Sequence, residues 1–170
     1  MKKLYLFRHA KSKSQNFNES DFIRSLSESG KNEALLMGQK LFALNNQIDF
    51  FVSSPALRAR QTCEILCNCC KYSHEKISFE ENLYLPDTNA LAKTISTINN
   101  LHNNIVLVSH NPGITEFINL LQIGVRIDEM PTCGMFVIKV DSNNWSSFFE
   151  SEKQFLYFDY PTNVQRSFSK

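Results

Sequence analysis

Short apolar runs and longer stretches of helical periodicity alternate along this chain. The apolar runs are typical of strands buried on both faces, and they lie at residues 4–7, 49–53, 76–80, 105–108 and 135–140, with an edge segment at 154–161. Apolar residues at helical spacing predict helices over residues 27–44, 55–70, 87–98 and 112–121. This alternation predicts an α/β protein, a single-domain three-layer α/β/α sandwich with a mostly parallel central sheet.

Polar residues and prolines indicate where the predicted helices begin and end. Ser27 is predicted to be the N-cap of the first helix, and the asparagines at 45–46 to end it. The dipeptides Ser-Pro at 54–55 and Asn-Pro at 111–112 each offer an N-cap followed by a first-turn proline. Gly38, inside the first helix, predicts close packing of that helix against the sheet.

Size and charge narrow the class of protein. With 170 residues, 42% of them apolar, the chain is sized for one domain, predicted over residues 1–161 and followed by a polar, poorly ordered tail at 162–170. Eighteen basic residues nearly balance 17 acidic ones, so no broad basic field favours nucleic acid or a membrane surface. The first apolar run stops at Arg8, too early for a signal peptide, and no run is long enough to span a membrane. We therefore expect a cytoplasmic protein without nucleic-acid or membrane partners.

Four of the five cysteines crowd into one short stretch: Cys63, Cys67, Cys69 and Cys70. An odd total and this crowding disfavour the disulfide framework of a secreted protein. Cys67 and Cys70 form a C-x-x-C spacing, which leaves redox or zinc chemistry open, but the chain has no second such pair and no nearby paired histidines. The favoured interpretation is that these cysteines are small, reduced residues packed on a helix.

Three predicted strands lead to basic side chains. Arg8 and His9 follow the first strand, Arg58 lies in the first turn of the helix after the second, and His110 follows the fourth. Ligands of open α/β sheets bind outside the carboxyl ends of the strands, so these side chains are expected to share one site. Guanidinium groups pair bidentately with phosphate oxygens, and a histidine can attack phosphorus. The pattern therefore predicts a site for a tetrahedral dianion such as phosphate.

Five segments of the chain carry a resemblance: LFRHAKS, RSLSESGKNEA, SSPALRARQT, LVSHNPGI and MPTCGM. In this order they resemble the histidine phosphatase (phosphoglycerate mutase-like) superfamily, and within it the short SixA-like phosphohistidine phosphatases. The resemblance implies a phosphoglycerate mutase-like fold in which His9 is the nucleophile, Arg8 and Arg58 clamp the phosphate, and His110 completes the pocket. It also implies that the protein uses no metal and no organic cofactor.

The same resemblance sets requirements on His9. Its attacking nitrogen must be neutral, so its other ring nitrogen must be fixed by a hydrogen bond, commonly to a backbone carbonyl. The two neighbouring arginines should also lower the pKa of its imidazole.

One departure from the family concerns the general acid. Many members carry a glutamate in an L-x-E setting after the third strand, where this chain has Leu-Tyr-Leu at 83–85. Glu80, Glu81 and Asp87 are nearby carboxylates, and a surface charge is the favoured interpretation of each. The general acid is therefore unassigned. A phosphoramidate such as phosphohistidine depends least on such an acid, because its imidazole leaving group departs easily once the distal nitrogen is protonated.

Other polar residues receive weaker assignments. Ser12 could offer its hydroxyl to phosphate, and a plain loop serine is an equally good interpretation. Arg24 could reach the strand ends, but a surface ion pair is favoured. Arg60 is expected to point away from Arg58 as a solvated charge. His74 and His102, in polar stretches, are expected at the surface.

Three functions remain in competition. The favoured one is a metal-independent phosphatase that forms a covalent phosphohistidine on His9 and acts on phosphohistidine in a protein or, second, on a small phosphate ester. The alternative is a catalytically weak phosphate- or phosphohistidine-binding module, because the usual acid is absent. A redox or metal protein that works through Cys67 and Cys70 is the third.

Overall fold

The computed structural model describes residues 1–15, 20–44 and 47–163. Its described elements are six strands, four α-helices and several short 3-10 turns. The strands are β1 (Lys2–Arg8), β2 (Phe50–Ser53), β3 (Ser78–Phe79), β4 (Asn104–Ser109), β5 (Met135–Val140) and β6 (Lys153–Asp159). The helices are α1 (Glu28–Leu44), α2 (Leu57–Cys69), α3 (Thr88–Ser96) and α4 (Gly113–Leu120).

The six strands form one sheet in the order β3-β2-β4-β1-β5-β6. Strands β3, β2, β4 and β1 pair in parallel, and β5 pairs antiparallel with both β1 and β6. In register, Arg8 at the end of β1 lies beside Ser109 at the end of β4, and Ser53 at the end of β2 lies beside Val108. The carboxyl ends of β2, β4 and β1 are therefore adjacent, as the sequence predicted.

Two hydrophobic cores cover the two faces of the sheet. Alternate residues of β1 enter different cores, because successive side chains of a strand point to opposite faces. Tyr5 and Phe7 pack with α1 and α2, whereas Leu4 and Leu6 pack with α3 and α4. This arrangement confirms the predicted three-layer α/β/α sandwich, and the edge segment predicted at 154–161 is the edge strand β6.

The predicted helix starts are right in one case and wrong in two. Ser27 caps α1, since its Oγ accepts a hydrogen bond from the Gly30 amide at 3.0 Å. Ser54 was predicted to cap α2, but this helix begins two residues later than predicted, at Leu57. Asn111 does not cap α4 either, because its side-chain oxygen accepts from the Thr115 hydroxyl instead. Both side chains serve the site at the strand ends, as described below.

Gly38 marks a close contact, but its neighbour is a helix and not the sheet. A Cβ at this position would lie 2.7 Å from the Sγ of Cys69 on α2, so α1 and α2 approach each other at this glycine. The helix end predicted at residues 45–46 and most of the tail predicted at 162–170 lie outside the described residues.

All five cysteines are free thiols, and all except Cys69 are buried. Cys63, Cys67 and Cys70 belong to the core between the sheet and α1 and α2. Burial raises the pKa of Cys70 to about 12, whereas a reactive cysteine needs a lowered pKa. These contacts support the packing interpretation over redox chemistry. Among the described residues, no helix is both long and apolar enough to cross a membrane.

Candidate active site

The strand ends of β1, β2 and β4 enclose a pocket of about 310 Å³. All four side chains predicted to share a site line it, namely Arg8, His9, Arg58 and His110. Further residues complete its wall: Lys11, Ser12, Asp21, Arg24, Leu85, Asn111 and Thr132. The sequence therefore predicted the principal side chains of the pocket, and the loops contribute the rest.

Hydrogen bonds fix the tautomer of His9. Its Nδ1 lies 2.8 Å from the backbone carbonyl of Ala10, which can only accept, so Nδ1 carries the proton. Its Nε2 accepts from Nε–H of Arg58 at 3.1 Å, so this nitrogen holds the lone pair. The backbone that follows β1 is held in place by Thr62 on α2. The hydroxyl of Thr62 accepts from the Ala10 amide and donates to the carbonyl of Arg58. His9 thus has the hydrogen bond to a backbone carbonyl that a nucleophilic histidine requires.

The environment of His9 favours its neutral form. Burial, opposed by the hydrogen bond to Ala10 and assisted by the charges of Arg58, Arg8 and Arg24, lowers its pKa from 6.5 to about 4. The direction agrees with the expectation from the neighbouring arginines, although burial is the larger cause. An imidazole in this environment is neutral at physiological pH.

We expect His9 to titrate near pH 4, well below an ordinary histidine. The imidazole remains neutral as pH falls from 7 to about 5 and becomes protonated as pH falls through about 4, because its pKa is lowered to that value. The ring proton signals of His9 in an NMR titration, assigned by comparison with His9→Gln, measure this directly. A midpoint near 6.5 would show that the site does not desolvate this ring.

His110 lies beside His9, with 5.0 Å between the ring centroids. Its Nε2 is 2.8 Å from the hydroxyl of Ser54, whose oxygen also accepts from the Ala56 amide at 3.3 Å. Burial, followed by the influence of His9 and Arg58, lowers the pKa of His110 to about 2. Its Nδ1 is buried and has no hydrogen-bond partner among the described residues.

Arg58 is almost fully buried and is held by an aspartate that the sequence analysis did not consider. Nη1 donates to the backbone carbonyl of Asp21 at 2.6 Å, and Nη2 donates to the Oδ2 of Asp21 at 2.8 Å. Burial raises the pKa of Asp21, but the hydroxyl of Tyr84 and the guanidinium of Arg58 outweigh burial, so the pKa is lowered. Asp21 is therefore ionised at neutral pH and forms a partly buried charge pair with Arg58.

Arg8 is anchored on the opposite side of the pocket. Its Nη1 donates to the Met130 carbonyl at 2.7 Å and to Glu129 at 2.9 Å. Asn111 donates to the same carbonyl, so the loop before β5 is tied to the strand ends. The Nε of Arg8 is buried and lacks a hydrogen-bond partner among the described residues. An oxyanion in the pocket would offer this donor an acceptor.

Arg24 lines the pocket, and Tyr84 contacts Asp21 from outside it. The sequence analysis considered Arg24 for the site without favouring it, and it did not assign Tyr84. Arg24 was expected at the surface, but it lines the pocket and grips the Oδ1 of Asp21 with Nε at 3.1 Å and Nη2 at 2.8 Å. Tyr84 donates its hydroxyl to the Oδ2 of Asp21 at 3.0 Å. One available signal was that Arg24 opens RSLSESGKNEA, a segment that carries the family resemblance.

The three carboxylates considered as the general acid lie outside the pocket. Asp87 caps α3 by accepting from the Ala90 amide at 2.7 Å. Glu80 accepts from the Ser78 hydroxyl, and Glu81 is exposed. None of the three lines the pocket, and Asp21 is the only carboxylate among the described residues that do.

The remaining assignments agree with the structure or stay open, except that of His102, which was expected at the surface. Ser12 lines the pocket, and its contact with phosphate stays a prediction. Arg60 is exposed and lies over the ring of Phe79, away from the pocket. His74 is exposed. His102 is partly buried and stacks on Phe50, so its side chain belongs to a packing contact outside the pocket.

Comparisons with known proteins agree with this arrangement. Residues 4–83 match the model of the Histidine phosphatase superfamily (branch 1). The structure of the protein histidine phosphatase SixA complexed with tungstate has a TM-score of 0.81 at 21% identity, and the match covers 95% of this chain and 99% of that one. A SixA structure from Agrobacterium tumefaciens has a TM-score of 0.79 at 23% identity, with 94% and 98% covered. These structures show a phosphoglycerate mutase-like, SixA-like fold.

A curated relative matches a shorter segment. Serine/threonine-protein phosphatase Pgam5, mitochondrial, from Drosophila ananassae is 37% identical over 59 residues. The match covers 35% of this chain and only 20% of that protein.

Proposed function

We propose that this chain is a phosphatase that forms a covalent phosphohistidine on His9, because residues 4–83 match the histidine phosphatase superfamily and the fold is SixA-like. The observation that carries this proposal is the fixed tautomer of His9, with the proton on Nδ1 and the lone pair on Nε2 beside the Arg58 guanidinium. A neutral, oriented imidazole with cations around it is what an attack on a phosphoryl group requires. We propose a cytoplasmic location, no metal and no organic cofactor for this activity.

The first chemical step transfers the phosphoryl group to His9. The hydrogen bond from Nε–H of Arg58 to Nε2 is released, the lone pair of Nε2 forms a bond to phosphorus, and the bond from phosphorus to the leaving group breaks with its electron pair. The charge on the equatorial oxygens is met by Arg8 and Arg58. Nδ1 keeps its proton and its hydrogen bond to the Ala10 carbonyl, and this hydrogen bond stabilises the positive charge that the imidazole acquires.

The second step returns the enzyme to its starting form. Water attacks phosphorus, the bond to Nε2 breaks, and its electron pair returns to the imidazole, which yields inorganic phosphate. His110 assists in both steps. When the Ser54 hydroxyl donates to its Nε2, the buried Nδ1 carries a proton and can donate to a phosphate oxygen.

The leaving group is the basis for the substrate class. Asp21 is the only carboxylate among the described residues that line the pocket, and its lowered pKa makes it a poor proton donor at neutral pH. Substrates whose leaving group needs no strong acid are therefore favoured. Phosphohistidine meets this condition when its distal nitrogen is protonated, so we propose phosphohistidine in a protein as the preferred substrate class and small phosphate esters second.

We expect hydrolysis to depend strongly on the leaving group. With EDTA present, a phosphohistidine peptide and an aryl phosphate should be hydrolysed faster than an alkyl phosphate by roughly 10²- to 10⁴-fold, the usual contribution of a general acid. Initial rates of phosphate release for the three substrates measure this. Equal rates for alkyl and aryl phosphates would reveal a general acid in the site and remove the argument for phosphohistidine.

The missing acid also favours a second candidate, a phosphate- or phosphohistidine-binding module with weak catalysis. The same experiment separates the two. A native protein that binds inorganic phosphate in calorimetry but hydrolyses none of the three substrates would be a binding module.

A further inference from the structure

Tyr84 precedes Leu85, the position at which many members of the superfamily carry a glutamate, and its contacts are unlike those of a proton donor. Its hydroxyl donates to the Oδ2 of Asp21 at 3.0 Å. Burial and then Asp21 raise the pKa of this phenol, so the hydroxyl keeps its proton and the hydrogen bond at neutral pH. Tyr84 does not line the pocket itself. Its effect on the site must therefore pass through other residues.

The hydroxyl of Tyr84 completes the set of donors around one carboxylate. The Oδ2 of Asp21 accepts from both Tyr84 and Nη2 of Arg58, and its Oδ1 accepts from Nε and Nη2 of Arg24. Because three side chains donate hydrogen bonds to the two oxygens of this carboxylate, its orientation is fixed. That orientation fixes Arg58, which binds Asp21 with both of its terminal nitrogens and reaches His9 with Nε.

The ring of Tyr84 contacts two residues of the site, Arg58 and His110. Its face lies 5.9 Å from the guanidinium carbon of Arg58, within the range of a cation–π contact. The centroids of the Tyr84 and His110 rings are 5.5 Å apart and their planes are perpendicular. One side chain therefore contacts Arg58, His110 and Asp21 at the same time.

The segment that carries Tyr84 is itself anchored. The Ser109 hydroxyl donates to the Leu83 carbonyl at 2.7 Å. At the start of α4, Gly113 allows the Pro86 carbonyl to approach so closely that a Cβ would collide with it. Both anchors lie within three residues of His110 in the sequence, so the position of Tyr84 is tied to the strand end that carries this histidine.

We propose that Tyr84 is a positioning residue, which holds Arg58 through Asp21, and His110 through its ring, in the arrangement that binds the phosphoryl group. Removing the hydroxyl leaves Asp21 free to turn about its contact with Arg24 and to draw Arg58 away from the phosphate position. Removing the ring also removes its contacts with the Arg58 guanidinium and the His110 imidazole. The inference rests on the proposed function only for its kinetic readout, because phosphate binding can be measured without turnover.

The test compares Tyr84→Phe and Tyr84→Leu with a matched control, Tyr157→Phe. The control also removes a hydroxyl that donates to an aspartate, the 2.6 Å contact between Tyr157 and Asp159, but at the edge strand β6. We expect Tyr84→Phe to weaken the binding of inorganic phosphate in calorimetry about ten-fold or more, as the loss of one hydrogen bond to a charged group implies. Tyr84→Leu should weaken it further, and Tyr157→Phe should leave it unchanged.

Kinetics on an aryl phosphate add a readout that a merely structural role would not move. KM should rise more than kcat falls in Tyr84→Phe, because the variant loses orientation of the binding group and keeps the nucleophile. Native phosphate affinity and KM in both Tyr84 variants would overturn the proposal, as would an equal loss in Tyr157→Phe. A lowered melting temperature with native affinity would also overturn it, because Tyr84 would then only stabilise the fold.

The two proposals fail in different ways. If the native protein binds phosphate but releases none from any substrate, the phosphatase proposal is wrong. Calorimetry can then still compare the phosphate affinity of the native protein with that of the Tyr84 variants. A native protein that binds no phosphate would overturn the positioning role together with the site.

Discussion

His9→Ala should abolish hydrolysis while the protein remains folded. The variant lacks the nitrogen that we propose takes the phosphoryl group, and removing a nucleophile lowers kcat by roughly 10⁴-fold or more. The measurement is phosphate release from an aryl phosphate and a phosphohistidine peptide with EDTA present. A second measurement, quenching with alkali after mixing with labelled substrate, should trap an alkali-stable, acid-labile phosphoenzyme in the native protein and none in the variant.

His74→Ala is the matched control, because it removes a histidine that lies at the surface. It should retain native activity and the labelled intermediate. The covalent mechanism is wrong if His9→Ala remains active within ten-fold of the native protein, or if label accumulates on it. Loss of activity in both variants would point instead to unfolding, which circular dichroism detects.

Arg58→Ala should lower kcat/KM by about 10³-fold, in the range seen when a preorganised cation or oxyanion donor is removed. The guanidinium is 97% shielded from solvent and contacts His9 directly, so its removal takes away charge stabilisation in the transition state. It also leaves the Asp21 carboxylate beside the phosphate position without this partner. Repulsion between two anions should then weaken the binding of inorganic phosphate.

Arg60→Ala is the control for this effect, since it removes the same side chain two residues further along α2. Its guanidinium lies 4.5 Å from the ring centroid of Phe79, outside the pocket, and the variant should keep native kcat/KM. Equal losses in the two variants would indicate a general effect of positive charge on substrate approach. High ionic strength would reduce such an effect.

Sequence reasoning located the residues that follow strands. Buried strands are visible as apolar runs, and parallel strands bring their carboxyl ends to one edge, so Arg8, His9 and His110 could be placed without knowing a single contact. Arg58 followed from its position in a first helical turn. These inferences depend on the regularity of strands and helices, and the adjacent strand ends confirm them.

Residues that reach the site from loops could not be placed in this way. Asp21 is 37 residues from Arg58 and 63 residues from Tyr84, and no periodicity of the chain relates them. Ser54 shows the converse. Its local context favours a helix cap, but His110 arrives from another strand and binds its hydroxyl. Tertiary contacts of this kind are set by how loops fold back, which local patterns do not report.

The carboxylate of Asp21 also bears on how the proposed phosphatase would release its product. Inorganic phosphate carries the same charged oxygens as the substrate, and arginines without an internal partner would hold it as firmly. Asp21 already pairs with Arg58, so the departure of the anion would leave no unpaired cation at this position. We expect this pairing to lower the affinity for the product, so that the proposed enzyme would turn over where free phosphate is far more abundant than its substrate.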